Sequence, residues 1–202
     1  MTIEILANDV GDDLNRTDLT AQCSAAVMMA IRHYDQRRWW FNEGSATFTA
    51  TATSTYNLPT DFRGMDYAEV RLSGGTRSRL RERDFATVKQ LLEATSNGDP
   101  SVYALYDNDI WLYQFPDGTA NGRVVTLYYI KNLAAITASG SNIWTGENQH
   151  LIRAAAAKTV ALRTMHDPDL AAFFAQIEHD LLNTLIGENE RRVTTGFSTP
   201  RY

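Results

Sequence analysis

The chain has 202 residues, 44% of them hydrophobic and 21% charged, a composition typical of a globular domain and not of a disordered, collagen-like or membrane-spanning chain. The formal net charge of −5 argues against a dedicated nucleic-acid-binding protein, because binding to phosphates requires a basic surface. The single cysteine, Cys23, has no partner for an intramolecular disulfide, so the fold is expected to be compatible with a reducing compartment.

Residues 1–18 form an acidic lead-in, in which five carboxylates against one arginine give a local charge of −4. The segment has no basic leader and no sustained apolar core, so we expect no secretory signal peptide and synthesis in the cytoplasm. Its charge predicts a solvated or partner-facing arm.

A helix is predicted from Thr17 to about Arg38, because apolar residues recur there at steps of three and four. Thr17 is the expected N-cap, since its hydroxyl can accept a hydrogen bond from a first-turn amide. The aromatic residues Trp39, Trp40 and Phe41 follow the helix directly. Large aromatic side chains at such a junction serve either as core anchors between the helical and β parts or as interface anchors in an assembly.

The middle of the chain changes to the two-residue period of β-strands, and turn residues separate the strands. In the first of them, threonines alternate with Phe48, Ala50 and Ala52, which indicates one exposed and one buried face. A short helix interrupts the strands, with Asp84 as its N-cap. The predicted elements are strands at 47–53 and 68–72, a turn at 74–75, a helix at 85–94, a hairpin of 102–106 and 110–113, and a strand at 124–130.

Helical spacing returns in the last third of the chain. An alanine-rich helix is predicted over 147–165, and Pro168 suits the first turn of a second helix that packs against it as an antiparallel hairpin. Residues 193–202 are predicted to form an extended tail, because they have no period and contain a glycine and a proline. The predicted apolar stripes are Leu151, Ala155, Thr159 and Leu162 in the first helix and Phe173, Phe174, Ile177, Leu181, Leu185 and Ile186 in the second.

The order of these elements predicts an α+β fold, because helices and strands are segregated along the chain and do not alternate. We expect one domain over 1–192, in which a helical core of residues 1–43 and 133–192 carries an antiparallel β-rich insertion at 44–132. The extended C-terminal tail, 193–202, follows this domain.

No pattern of residues points to catalysis or to a cofactor. Glycine-rich phosphate-binding loops and a serine-nucleophile elbow are missing, and the four histidines do not form an HExxH pair. His166 and His179 each precede an aspartate, but neighbours on a helix point in different directions and do not form a relay. Cys23 is expected to be a buried structural thiol. We therefore predict no catalytic, metal-binding or cofactor-binding residues, and no enzyme.

Four arginines stand at alternate positions, Arg77, Arg79, Arg81 and Arg83. On a single strand or ribbon this spacing projects all four guanidinium groups from one side. Two interpretations stay open: a contact for nucleic acid or an acidic protein partner, and an exposed sheet edge protected by charge.

Several motifs, in their order, resemble phage head-to-tail adaptor proteins of the head-completion, tail tubular A-like kind. The resemblance covers most of the chain and includes the helix before the aromatic run and the C-terminal helical pair. The motifs are Arg-Arg-Trp-Trp-Phe-Asn-Glu at 37–43, Tyr-Asn-Leu-Pro-Thr-Asp-Phe at 56–62, Gly-Asp-Pro-Ser-Val-Tyr at 98–103 and the strand at 110–112 leading to Phe115-Pro116.

The resemblance implies a virion protein at the portal vertex, made in the host cytoplasm, that assembles as a ring of about twelve copies. It implies as partners the portal protein, a nozzle, tail-tube or tail-terminator protein on the tail side, and genomic DNA that passes through the lumen without sequence specificity. It brings no catalytic residues, cofactor or membrane contact. An extended C-terminal segment that docks on the portal is also expected.

The candidate portal contacts lie at the C-terminus and in the aromatic run. Phe197 and Tyr202 supply apolar anchors, and Arg191, Arg192 and Arg201 supply positive charge nearby. Trp39, Trp40 and Phe41 complete the set. Alternative functions are a tail-tube or baseplate component, suggested by the β-rich middle, and a cell-wall hydrolase, suggested only by plentiful carboxylates and His166.

Overall fold

A computed structural model describes residues 2–94, 97–118, 122–133 and 140–193. The chain divides into two compact units: a helical unit of residues 1–41 and 133–202, and a β unit of residues 42–132. Five helices and two antiparallel-rich sheets in these residues confirm the α+β class. The helices are α1 (Ile3–Asp13), α2 (Thr20–Asp35), α3 (Phe85–Glu93), α4 (Gln149–Arg163) and α5 (Pro168–Val193).

The acidic lead-in is a helix of the core, so the prediction of a solvated arm is wrong. Thr2 caps α1 by accepting a 3.3 Å hydrogen bond from the Ile5 amide, and Leu6 and Val10 are completely buried. The carboxylates lie on the outer side, where Asp13 pairs with Arg153 of α4. Apolar residues recur at steps of three and four through this segment, and burying them outweighs the solvation of its charges.

The second helix begins three residues later than predicted. Its N-cap is Leu19, which forms no side-chain cap hydrogen bond, and Thr17 contributes only its carbonyl oxygen, to the hydroxyl of Thr20 at 3.4 Å. The assignment of Thr17 as N-cap is therefore wrong. The buried face of α2 agrees with the predicted spacing, and Cys23 is fully buried in it.

Helices α4 and α5 form the predicted hairpin across a four-residue connection. The carboxylate of Asp167 caps α5 by accepting the Leu170 amide at 2.9 Å, and Pro168 occupies the first helical position. The predicted stripes are wrong at two positions, because Leu162 and Phe173 are 53% and 60% exposed. The alanines at 154–157 are buried instead, which allows α4 to approach its neighbours closely.

The β unit contains two four-stranded sheets, ordered β1-β8-β3-β4 and β2-β7-β6-β5. The pairs are antiparallel except for β5 and β6, which are parallel. Each sheet buries apolar side chains in the core of this unit. The strands are β1 (Glu43–Ala50), β2 (Thr55–Asn57), β3 (Phe62–Arg71), β4 (Arg77–Arg79), β5 (Arg81–Glu82), β6 (Val102–Tyr106), β7 (Asp109–Tyr113) and β8 (Arg123–Lys131).

Local signals placed two elements of the β unit correctly. Asp84 caps α3 by accepting the Thr87 amide at 2.9 Å, and the Thr87 hydroxyl and amide lower the pKa of the Asp84 carboxyl. The β6–β7 hairpin turns at Asp107 and Asn108, whose φ angles are +51° and +63°. Two positive φ angles are typical of a type I′ turn, which matches the right-handed twist of paired strands.

Candidate functional site

Trp39 is a core residue of the helical unit. Its side chain is 1% exposed, its indole nitrogen donates to the Tyr34 carbonyl at 2.8 Å, and its ring meets Trp144 edge to face at 5.7 Å. Phe41 lies against both indole rings, at centroid distances of 6.0 and 5.1 Å. Trp39 is therefore buried in the core of the helical unit and is not exposed for an interface.

Trp40 lies instead at the C-terminal end of α5. Its backbone amide donates to the side-chain oxygen of Asn189 at 2.8 Å, and Asn189 donates to the Arg38 carbonyl at 3.4 Å. The Arg192 guanidinium stands 4.6 Å from the centre of the Trp40 ring, and Arg192 also pairs with Glu188 at 2.6 Å. We call these residues, 38, 40, 189 and 192, the α5 anchor.

The α5 anchor holds the C-terminal end of α5 against residues 38–40. Arg191 and Arg192 are exposed there beside the half-buried Trp40, so the end of the helix presents positive charge next to an aromatic ring. Such a pair attracts carboxylates and apolar side chains at once. The other predicted portal contacts, Phe197, Arg201 and Tyr202, lie outside the described residues.

The structure places Arg77 and Arg79 in one sheet and Arg81 in the other, and Arg83 follows the strand of Arg81, so the four arginines do not share one strand face. Arg77 and Arg79 belong to β4, which pairs with β3, whereas Arg81 begins β5, which pairs with β6. The chain switches sheets at Leu80, which is buried and donates its amide to the Ala68 carbonyl at 2.8 Å. Alternation of charges along the sequence did not reveal this switch, because sheet membership depends on distant strands.

Both arginine-bearing strands are the last strands of their sheets, β4 in one and β5 in the other. Arg77 pairs with Glu69 at 2.7 Å, and Arg79 stands 5.4 Å from the centre of the Tyr67 ring. Charged side chains on such edges hinder unwanted strand pairing, so protection of an edge fits their positions. A contact with a partner also fits their positions, because all four arginines are exposed.

A cavity of about 490 Å³ opens beside these strands. Seven residues line it: Asp66, Tyr67, Arg79, Leu80, Arg81, Glu82 and Tyr103. The Tyr103 hydroxyl donates to Glu82 at 3.2 Å, and burial, followed by the charge of Glu82, raises the pKa of Tyr103. Both signs of charge thus lie in the wall of this cavity.

A polar cluster that sequence reasoning missed lies in the helical unit, along a groove of about 230 Å³ between α2, α4 and α5. The Tyr34 hydroxyl donates to Glu178 at 2.5 Å, and Lys158 pairs with the other oxygen of the same carboxylate. Burial and then the Glu178 carboxylate raise the pKa of Tyr34. In the sequence, this cluster is indicated only by Lys158, a charged residue within the alanine-rich helix.

Two of the four histidines, His166 and His179, lie in the α4–α5 turn and on α5. His166 has a φ of +55° in the turn between α4 and α5, where the following Asp167 caps α5, and His179 contacts Asn183 at 2.9 Å one helical turn away. No cluster of three potential metal ligands occurs in the described part of the chain. The helices within those same residues include none long and apolar enough to cross a membrane.

The structure thus presents a helical unit in which Trp40 contacts the C-terminal end of α5, and a β unit with arginines on two edge strands. The family model of the SU10 adaptor protein matches residues 1–200. The chain belongs to the SU10 adaptor protein family. This is a family of phage head-tail adaptors, so the chain is a structural component of the virion at the head-tail junction, with a non-enzymatic role. No curated protein matches the chain.

Proposed function

We propose that copies of this adaptor form a ring between the portal and the tail, and that the genome passes through the lumen of the ring. Membership of the head-tail adaptor family over nearly the whole chain carries this proposal. A ring of about twelve copies needs repeated heterologous contacts between neighbours and no catalytic group. The net charge of −5 suits a channel, because a strongly basic lumen would retard the passage of DNA.

The C-terminal segment is the part of the chain that docks on the portal in this proposal. Nine residues follow Val193, and at roughly 3.3 Å per residue an extended chain of this length reaches about 30 Å from the end of α5. Phe197 and Tyr202 provide apolar anchors, and Arg201 adds a charge. The α5 anchor supports this role, because a fixed starting point lowers the entropy lost when the segment docks.

Removing residues 194–202 tests this role and leaves α5 intact. We expect the truncated chain to keep the unfolding temperature of the full chain and to lose co-sedimentation with purified portal rings. Replacing Phe197 and Tyr202 by alanine should weaken attachment in the same direction, whereas alanine at Thr194 and Thr199 is the matched control. A large drop in unfolding temperature on truncation would show that the segment packs on the core and would contradict the docking role.

The position in the particle tests the ring itself. Imaging of intact virions should place the subunit as a closed ring on the portal, with the tail-side protein below it. A location in the tail tube or baseplate, away from the portal vertex, would overturn the proposal. So would a purified protein that stays monomeric over a wide concentration range, both alone and with portal.

A further inference from the structure

Charge is distributed unevenly along this chain. Residues 71–83 carry five arginines and one glutamate, a local charge of +4, whereas residues 1–18 carry −4. The whole chain has a charge of −5, so the positive segment is an exception within an acidic protein. The positive segment belongs to the β unit and the negative segment to the helical unit.

The positive segment forms an exposed surface that we call the arginine edge, residues 71–83, which includes β4 and β5. Arg77 is neutralised by Glu69 and Arg79 lies over the Tyr67 ring. Arg81 and Arg83 are exposed, and no salt bridge joins either of them to a carboxylate in the described ranges. Both guanidinium groups are therefore exposed to another molecule, and the charge of Arg83 also contributes to lowering the pKa of the adjacent Asp84 carboxyl.

The negative segment has a matching exposed surface on α1. Glu4, Asn8 and Asp12 stand four residues apart, all exposed, and form what we call the acidic stripe. The carboxylates on the adjacent side, Asp9 and Asp13, face Arg153 and are engaged by it. Within the residues that the structure covers, Glu4 and Asp12 make no salt bridge.

We propose that the acidic stripe of one copy binds the arginine edge of the next copy around the ring. Each chain carries both surfaces: Glu4 and Asp12 supply two negative charges on the stripe, and Arg81 and Arg83 supply two positive charges on the edge. A contact between two different surfaces of identical chains is heterologous, and repetition of such a contact closes a ring when its rotation allows. The inference rests on the proposed ring and identifies which surfaces meet in it.

The partner that the charges favour is a second copy and not DNA. The arginine edge includes Glu82, and Asp66 lines the same cavity as Arg79 and Arg81, so the surface is not uniformly basic as phosphate binding requires. The chain as a whole repels polyanions through its net charge of −5. A protein surface with separated carboxylates, such as the acidic stripe, matches this pattern better.

Reciprocal charge reversal in the full-length chain tests the contact. One variant carries Arg81→Glu and Arg83→Glu, and the other carries Glu4→Arg and Asp12→Arg. In each variant alone, side chains of like charge meet at positions 81 and 83 of the edge and 4 and 12 of the stripe. We therefore expect assembly, measured by light scattering and native mass spectrometry, to need about tenfold more protein or more. An equimolar mixture pairs opposite signs at every contact and should restore assembly to near the wild-type level.

Two controls separate the contact from general effects of charge and stability. Lys89→Glu with Arg163→Glu reverses two exposed cations elsewhere and should leave assembly unchanged. Because Glu4 lies in the first turn of α1, arginine there opposes the helix dipole, so Asn8→Arg with Asp12→Arg provides a second reversal of the stripe. Both reversed chains should keep the wild-type circular dichroism spectrum.

Cross-linking distinguishes failure of this inference from failure of the ring. A short bismaleimide should join Asp12→Cys of one copy to Arg83→Cys of another, whether or not the ring closes. The inference is overturned if rings form but this cross-link does not, and if mixing the two reversed variants does not restore assembly. The ring proposal would then stay intact. Cross-linked open chains would support the contact and overturn the closed ring.

Nucleic acid is the remaining alternative, and the arginine variant addresses it. If Arg81→Glu with Arg83→Glu assembles normally but loses binding to plain duplex DNA, the arginine edge is a DNA contact and the inference is overturned. If assembly is lost, and duplex binding is equally weak before and after the substitution, the contact between copies is supported. Assembly of the wild-type chain should also weaken as salt rises, because exposed charges are screened.

Discussion

Replacement of Glu178 by alanine should destabilise the helical unit more than the loss of any exposed carboxylate on the same helix. Glu178 is 13% exposed and accepts hydrogen bonds from both Tyr34 and Lys158. Glu188, one of the carboxylates farther along α5, is 41% exposed and pairs only across one helical turn, with Arg192. Glu188→Ala is therefore the matched control, because helix propensity changes equally in both variants.

The expected magnitude follows from what each substitution leaves behind. Without Glu178 the hydroxyl of Tyr34, a residue 1% exposed, has lost its acceptor, which costs about 1–3 kcal/mol. Loss of the partly exposed pair with Lys158 adds about 0.5 kcal/mol. We expect about 1.5–3.5 kcal/mol in total, against about 0.3 kcal/mol or less for Glu188→Ala.

Urea unfolding followed by circular dichroism measures the change in the free energy of unfolding for each variant. In a thermal scan the unfolding temperature should fall by about 2–4 °C per kcal/mol for a chain of this length. The Tyr34→Phe background completes a double-mutant cycle. In that background Glu178→Ala should cost about 1 kcal/mol or less, because no buried hydroxyl is left unpaired. Equal costs for Glu178→Ala in both backgrounds would refute the reasoning.

Three further predictions concern burial, pH and backbone conformation. Trp39→Ala should lower the free energy of unfolding by about 3–5 kcal/mol, measured by urea unfolding. Trp40→Ala should lower it by about 1 kcal/mol and mainly weaken portal attachment, measured by co-sedimentation. Burial raises the pKa of Tyr34 and Tyr103, so these tyrosines stabilise the fold fully below about pH 10. Above that pH the free energy of unfolding should fall by up to about 1.4 kcal/mol per pH unit for each tyrosine. Urea unfolding on both sides of about pH 10 checks this, and Tyr34→Phe should make the fall less steep. Asn108→Gly should leave the unfolding temperature nearly unchanged, whereas Asn108→Val should cost about 1–2 kcal/mol, because only small or flexible residues adopt its φ of +63° without strain.

Features set by neighbouring residues could be read from the sequence. The Asp84 cap, the β6–β7 turn and the start of α5 at Pro168 each depend on interactions within a few residues. The α+β class follows from the order of such elements, and the ordered motifs led to the right adaptor family. The sequence of α1 also contains this information, because its apolar residues recur at steps of three and four; its carboxylates instead predicted a solvated arm.

Features set by distant residues could not be read in this way. Leu162 and Phe173 fit an apolar stripe in sequence and are exposed in the structure, because the packing of neighbouring helices decides which side of a helix is buried. The polar cluster around Glu178 joins α2, α4 and α5, which no local pattern connects.

The candidate interaction surfaces show the same division between local and tertiary information. The sequence by itself determined that four arginines stand at alternate positions and that three aromatic residues follow α2. Only the tertiary structure decided that Arg77 and Arg79 lie on the edge strand of one sheet and Arg81 on that of the other. It also decided that Trp39 is buried while Trp40 lies under Arg192. The physical reason is that strand pairing and side-chain burial are properties of contacts between residues far apart in the chain, whereas caps, turns and periodicity arise within a few residues.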